Sequence, residues 1–73
     1  MNWDQIEGKW KELTGGLKEH WGKLTDDELQ LIGGKREKLA GLLQQKYGIA
    51  KEAAEAQIAK FEKSLDNLKH GAS

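Results

Sequence analysis

An all-α fold of about four helices, folded back as two hairpins that pack across each other, follows from three features of this 73-residue chain. Apolar residues recur at steps of three and four in nearly every stretch, the period of a helix with one buried stripe. The segment 6–22, IEGKWKELTGGLKEHWG, is echoed 26 residues later by the segment 32–48, IGGKREKLAGLLQQKYG. Ile6, Gly8, Lys9, Leu13, Gly15, Leu17 and Gly22 recur there as Ile32, Gly34, Lys35, Leu39, Gly41, Leu43 and Gly48, and Trp21 is answered by Tyr47. Helix start and stop signals then punctuate the chain, and no proline interrupts it. An internal duplication with helical period describes architecture, and leaves chemistry open.

The first helix starts at Asn2. Its side chain can cap the helix, Gln5 three residues on completes a capping box, and Asp4 suits the positive first turn. Trp3, Ile6, Trp10, Leu13, Leu17, Trp21 and Leu24 form one apolar stripe over about six turns. Glu7 with Lys11 and Glu19 with Lys23 have the i,i+4 spacing of surface ion pairs. Gly8, Gly15 and Gly22 lie away from the stripe; the Gly15-Gly16 pair marks an expected kink, and Gly22 an expected end. Thr25, Asp26, Asp27 and Glu28 open a short second helix, with Thr25 as N-cap and Glu28 as its capping-box partner. Leu29 and Ile32 face inward there, Leu31 is partly exposed, and Gly33 and Gly34 stop the run. A third helix spans about 35–47, with Leu39, Leu43 and Tyr47 inward, Leu42 beside them, and Gly48 just past its end. The last helix follows Ile49 and carries Ala54, Ile58, Phe61, Leu65 and Leu68 on its stripe; Ala50 caps its start poorly, and residues 69–73 form an expected frayed tail.

The totals bound the function. Seventy-three residues make one domain with a small core and no enzyme-sized cleft. Twelve basic and twelve acidic residues cancel, which argues against a broad footprint for nucleic acid or anionic lipid. There is no cysteine, hence no disulfide or thiolate metal site. No apolar run approaches a membrane span and the N-terminus has no apolar signal core, so the chain reads as soluble and intracellular.

Chemistry-bearing residues are few. Asp26, Asp27 and Glu28 are consecutive on a first helical turn, point in different directions, and lack the spacing of a calcium loop, so capping explains them. His20 and His70 stand apart, with no metal-ligand spacing. No nucleophile motif is present, and no catalytic residue, metal ligand or cofactor is assigned. Trp3, Trp10 and Trp21 could stack on bases, but they share the stripe of Ile6, Leu13 and Leu17 and read as core. The one sharper candidate is Gly33, Gly34, Lys35 and Arg36, where a glycine-rich turn and two cations meet a helix start, a setting that suits an anion or a nucleic-acid backbone. It is not a phosphate-binding P-loop: Leu29 stands where the first glycine belongs, and Arg36 where a hydroxyl residue belongs. Turn-making with solvated charges is the plainer reading.

Trp21 to Leu29 (WGKLTDDEL), Gly34-Lys35-Arg36, the stretch YGIAKEAAE from Tyr47, the opening Met1-Asn2 and Gly8-Lys9-Trp10-Lys11 together resemble the CsbD-like family of small bacterial proteins over nearly the whole chain. The resemblance implies a helical fold similar to the SAM-like class, a cytoplasmic location and an association with general stress responses, without an assigned activity. Two positions depart from the family pattern: Gly33, where an acidic residue is common, which loosens the turn, and Ala50, where a capping serine is frequent.

The resulting expectation is a non-enzymatic, stress-associated helical protein that works by contact with an unknown protein partner, itself included, as a monomer or weakly self-associating species. The alternatives are weak, non-specific nucleic-acid or phosphate binding through residues 33–36, and a hydrophilic stress protectant. Nine glycines, no cysteine and a mean hydropathy of -0.79 suggest the last, and the apolar stripes speak against its disordered form.

Overall fold

The computed structural model describes residues 2–71, with side-chain surroundings through residue 66. Five helices and no strand occur among the described residues: α1 Trp3–Gly8, α2 Trp10–His20, α3 Asp26–Ile32, α4 Arg36–Tyr47 and α5 Lys51–Gly71. The helical class is as expected, while the expected first helix is two.

The interruption is a single residue. Lys9 (φ −109°, ψ 21°) ends α1, its N–H donating to the carbonyls of Gln5 and Ile6, and its own carbonyl accepts from Glu12 and Leu13 to start α2. Gly8 weakens the helix just before the break. Trp10 directly after it buries its ring and donates its indole N–H to the Leu29 carbonyl at 2.7 Å. The apolar spacing survives so short a break, so periodicity alone runs through it. At Gly15 and Gly16, the place of the expected kink, α2 runs on without a break, with buried Leu17 and half-buried Leu13 on its inner face.

The other boundaries follow local chemistry. Asn2 and Gln5 form the capping box of α1, with Gln5 N–H to Asn2 Oδ1 at 2.9 Å and Asn2 N–H to Gln5 Oε1 at 3.3 Å. Thr25 and Glu28 do the same for α3. α2 stops two residues before Gly22, where Trp21 turns extended to enter the core. Gly33 (φ +58°) and Gly48 (φ +63°) end α3 and α4 in the left-handed region that favours glycine. α5 begins after Ala50, whose carbonyl accepts from Ala54 N–H at 3.0 Å. It runs to Gly71, through most of the tail expected to fray; the rest of that tail and the Leu68 side chain lie outside the described residues.

One core joins all five helices. Ile6, Leu17, Leu29, Leu39, Leu43 and Ile58 are its largest fully buried side chains, and Trp10, Trp21, Leu24, Ile32, Ala40, Ala54 and Phe61 close around them. Trp3, Leu13, Leu42, Tyr47, Ile49 and Leu65 pack on its margin. Each fully buried aliphatic side chain stabilises by about 1.5–3 kcal/mol gross.

Candidate functional site

Gly33, Gly34, Lys35 and Arg36 form a compact turn between α3 and α4. Gly33 N–H donates to the Leu29 carbonyl at 3.2 Å and Lys35 N–H to the Ile32 carbonyl at 3.1 Å. Gly34 (φ +88°) is buried, its carbonyl accepts the Trp3 indole N–H at 2.7 Å, and a Cβ placed on it would lie 2.7 Å from Glu7 Cγ and 3.0 Å from Glu7 Cα. The turn is therefore pressed against the backbone of α1, and the expected loosening at Gly33 is not seen. Lys35 Nζ lies 3.1 Å from Glu7 Oε2, and Arg36 lies 3.6 Å from Glu62 and 3.8 Å from Glu55. All four predicted residues come together, and each cation meets carboxylates from another helix. Glu7 thus turns to Lys35 in place of the expected Lys11.

The three tryptophans tie the same region to the rest of the molecule. Trp3 and Trp10 reach Gly34 and Leu29 at the α3 end, and Trp21 Nε1 donates to Gln57 Oε1 on α5 at 2.8 Å. Burying an indole while its N–H finds an acceptor avoids the cost of an unpaired buried donor. Trp10 and Trp21 are 6% and 3% exposed, which leaves no face for stacking a base. His20 sits exposed at the end of α2, edge-on to Trp21 at 4.5 Å and tilted against Phe61 at 5.4 Å. Lys23, expected to pair with Glu19, lies past the end of α2 with its ammonium 5.1 Å from the Tyr47 ring centre, and its N–H donates to Tyr47 Oη at 3.1 Å. His70 lies outside the described side chains.

The acidic run at 26–28 holds structure together. Asp26 pairs with Lys18 at 2.8 Å, and Glu28 with Lys46 at 2.6 Å. The Lys46 hydrogen bond holds the Glu28 carboxyl below its ordinary value; partial desolvation opposes this, and the Thr25 N–H and hydroxyl add to the lowering. Among the described residues no group of three or more His, Asp or Glu side chains is placed to hold a metal ion.

A different surface stands out once the helices are placed. Leu31 on α3 is 79% exposed, the one large hydrophobic residue so exposed among those described. It borders a shallow hollow between α3 and α4 lined by Glu28, Leu31, Ile32, Lys38, Leu42 and Gln45. Leu42 on its α4 wall is half-buried. Sequence reasoning placed Leu31 only partly outside and Leu42 beside the core. The available signal was Leu31 standing one position off the Leu29 and Ile32 stripe.

Comparison with known proteins completes the picture. The family description CsbD-like matches residues 4–56. The chain belongs to the CsbD-like family. A UPF0337 protein of Nitrosomonas europaea is 54% identical to it over 69 residues, covering 94% of this chain and 73% of that protein. A UPF0337 protein of Pseudomonas aeruginosa is 54% identical over 65 residues, covering 89% of this chain and all of the relative. The UPF0337 protein YjbJ of Escherichia coli K12 is 47% identical over 62 residues, covering 85% and 90%. The CsbD-like match takes in both the 33–36 turn and the hollow beside Leu31, and stops within the first two turns of α5. No described helix of this CsbD-like chain is long and apolar enough to cross a membrane.

Proposed function

We propose that this CsbD-like protein is a non-enzymatic, cytoplasmic, stress-associated module that works by contact with a protein partner, through the α3–α4 surface around Leu31. The observation that carries this reading is Leu31 itself, 79% exposed beside the half-buried Leu42, where the other large apolar side chains among the described residues are buried or half-buried. In the same reading α1 and α2 with α3, and α4 with α5, are the two hairpins of a SAM-like arrangement. Affinity capture from stressed cells tests it, with wild type and Leu31→Asp as paired baits. Reproducible capture that the substitution abolishes is the expected result; equal capture by both baits, or none by either, overturns it.

Contact of the 33–36 turn with a phosphate or nucleic-acid backbone is the second reading. Lys35 caps α4 without a side-chain hydrogen bond and its side chain is 64% exposed, which favours an approaching anion; Glu7, Glu55 and Glu62 around the two cations oppose one. It predicts salt-sensitive association with duplex DNA that Lys35→Glu/Arg36→Glu removes. DNA titration at low salt that leaves the amides of 33–36 unmoved overturns it.

A further inference from the structure

The geometry points to a second copy of this chain as the occupant of the α3–α4 face, seated across a two-fold axis that passes beside Leu31 and Leu42. This inference rests on the contact-face reading above and names its partner.

The order of charge along the face carries it. In α3, Asp27 precedes Leu31 by four residues and so shares its face; in α4, Lys38 precedes Leu42 in the same way. The turn at 33–35 joins one pair of helix ends, and the Glu28/Lys46 ion pair at 2.6 Å joins the ends remote from it. Lys38 therefore stands near the turn on a level with Leu31, Asp27 stands at the far end, and Leu42 lies between those levels. A face with its acid at one end and its base at the other is complementary to itself when rotated by 180°: each Lys38 meets the copy's Asp27, and Leu31 and Leu42 are covered between the copies. Asp27 and Lys38 are both exposed, and neither enters an ion pair among the described residues, whereas Glu28 and Lys46 beside them are already committed to each other.

The first helix pair supplies an internal control. Across the 26-residue repeat, Leu31, Leu42 and Lys38 correspond to Gln5, Gly16 and Glu12. That equivalent face is exposed and has no apolar side chain at these positions. The frame of the repeat thus does not require Leu31 to be exposed, and an exposed leucine at this place belongs to the second pair alone. Its small extent suits a weak, transient dimer below the size of stable interfaces.

The test is a dilution series of the full-length, isotope-labelled protein up to millimolar concentration, followed by amide NMR and by sedimentation equilibrium. The amides of 27–31 and 38–45 are expected to shift together with concentration while the mass rises toward a dimer. Leu31→Asp, an exposed change that leaves the core intact, should weaken association at least ~10-fold, the scale of one lost leucine contact. Asp27→Lys and Lys38→Asp should each weaken it, and the double exchange should restore it to within ~3-fold of wild type, because both cross-axis pairs are re-formed. Circular dichroism verifies that every variant remains helical. A strict monomer at millimolar concentration overturns the inference; Leu31-dependent capture of another protein would then leave the broader reading intact. A dimer indifferent to Leu31→Asp overturns the face, and failure of the double exchange to restore association overturns the two-fold pairing.

Discussion

The two helix pairs share a frame and differ in what joins and faces them. Ile6 and Ile32 occupy matching places and are nearly or fully buried, as are Leu17 and Leu43; α2 and α4 begin at matching positions, Trp10 and Arg36. The joints differ. α1 passes to α2 through one residue, Lys9, whereas α3 passes to α4 through a turn with two left-handed glycines. Matching glycines therefore serve different ends: Gly8 is helical with open space around it, and Gly34 lies against the backbone of Glu7 at φ +88°. The lesson is that shared positions in a repeat carry the core, while the positions where the copies diverge carry the tertiary ties and the exposed face.

The strongest way to break the comparison is at the shared core. Leu17→Ala and Leu43→Ala each remove a fully buried side chain and should each cost about 2–5 kcal/mol in urea unfolding. Similar losses support a common frame, and a loss confined to one half breaks it. The glycines sharpen it next. Gly34→Ala should destabilise by about 1–3 kcal/mol, since it combines positive φ with a contact at 3.0 Å to backbone, while Gly8→Ala should be neutral or stabilise by up to about 1 kcal/mol. The same unfolding series reads both, and opposite signs are the expected result. Third, Trp10→Phe removes the N–H bond to Leu29 that belongs to the first pair alone; a loss of about 1–2 kcal/mol is expected. Amide exchange at the start of α2 and at the α3 end should rise together, and unchanged exchange there would contradict the tie.

The smallest effect is acid sensitivity. The capping box of α1 is neutral, built from Asn2 and Gln5, whereas that of α3 uses Glu28. Lys46 lowers the Glu28 carboxyl in the folded state, so its contribution is present above the ordinary value of 4.5 and is lost as pH falls below it. Melting temperatures measured downward from pH 6 should fall less steeply in Glu28→Gln than in wild type, and parallel slopes would contradict the linkage.

What the sequence made legible was local. Both capping boxes, the glycine ends of α3 and α4 and nearly all of the core stripe depend on neighbours within one helical turn. What escaped it depends on contacts across the chain. Lys9 breaks a helix whose apolar spacing continues, because Trp10 is drawn to a carbonyl 19 residues away. Lys35 and Arg36 looked like a cationic pair at a helix start until folding brought Glu7, Glu55 and Glu62 beside them. Leu31 fits a helix by every local measure; its exposure follows from how α3 lies on α4.

One variant addresses the contact face most directly. Leu31→Gln/Lys38→Glu gives the second helix pair the residues that the first carries at Gln5 and Glu12, both at exposed positions. Measured by the same NMR dilution series beside wild type, it should keep the melting temperature and lose the concentration-dependent shifts at 27–31 and 38–45. Shifts that persist unchanged in the variant would contradict a contact face formed where the two halves diverge.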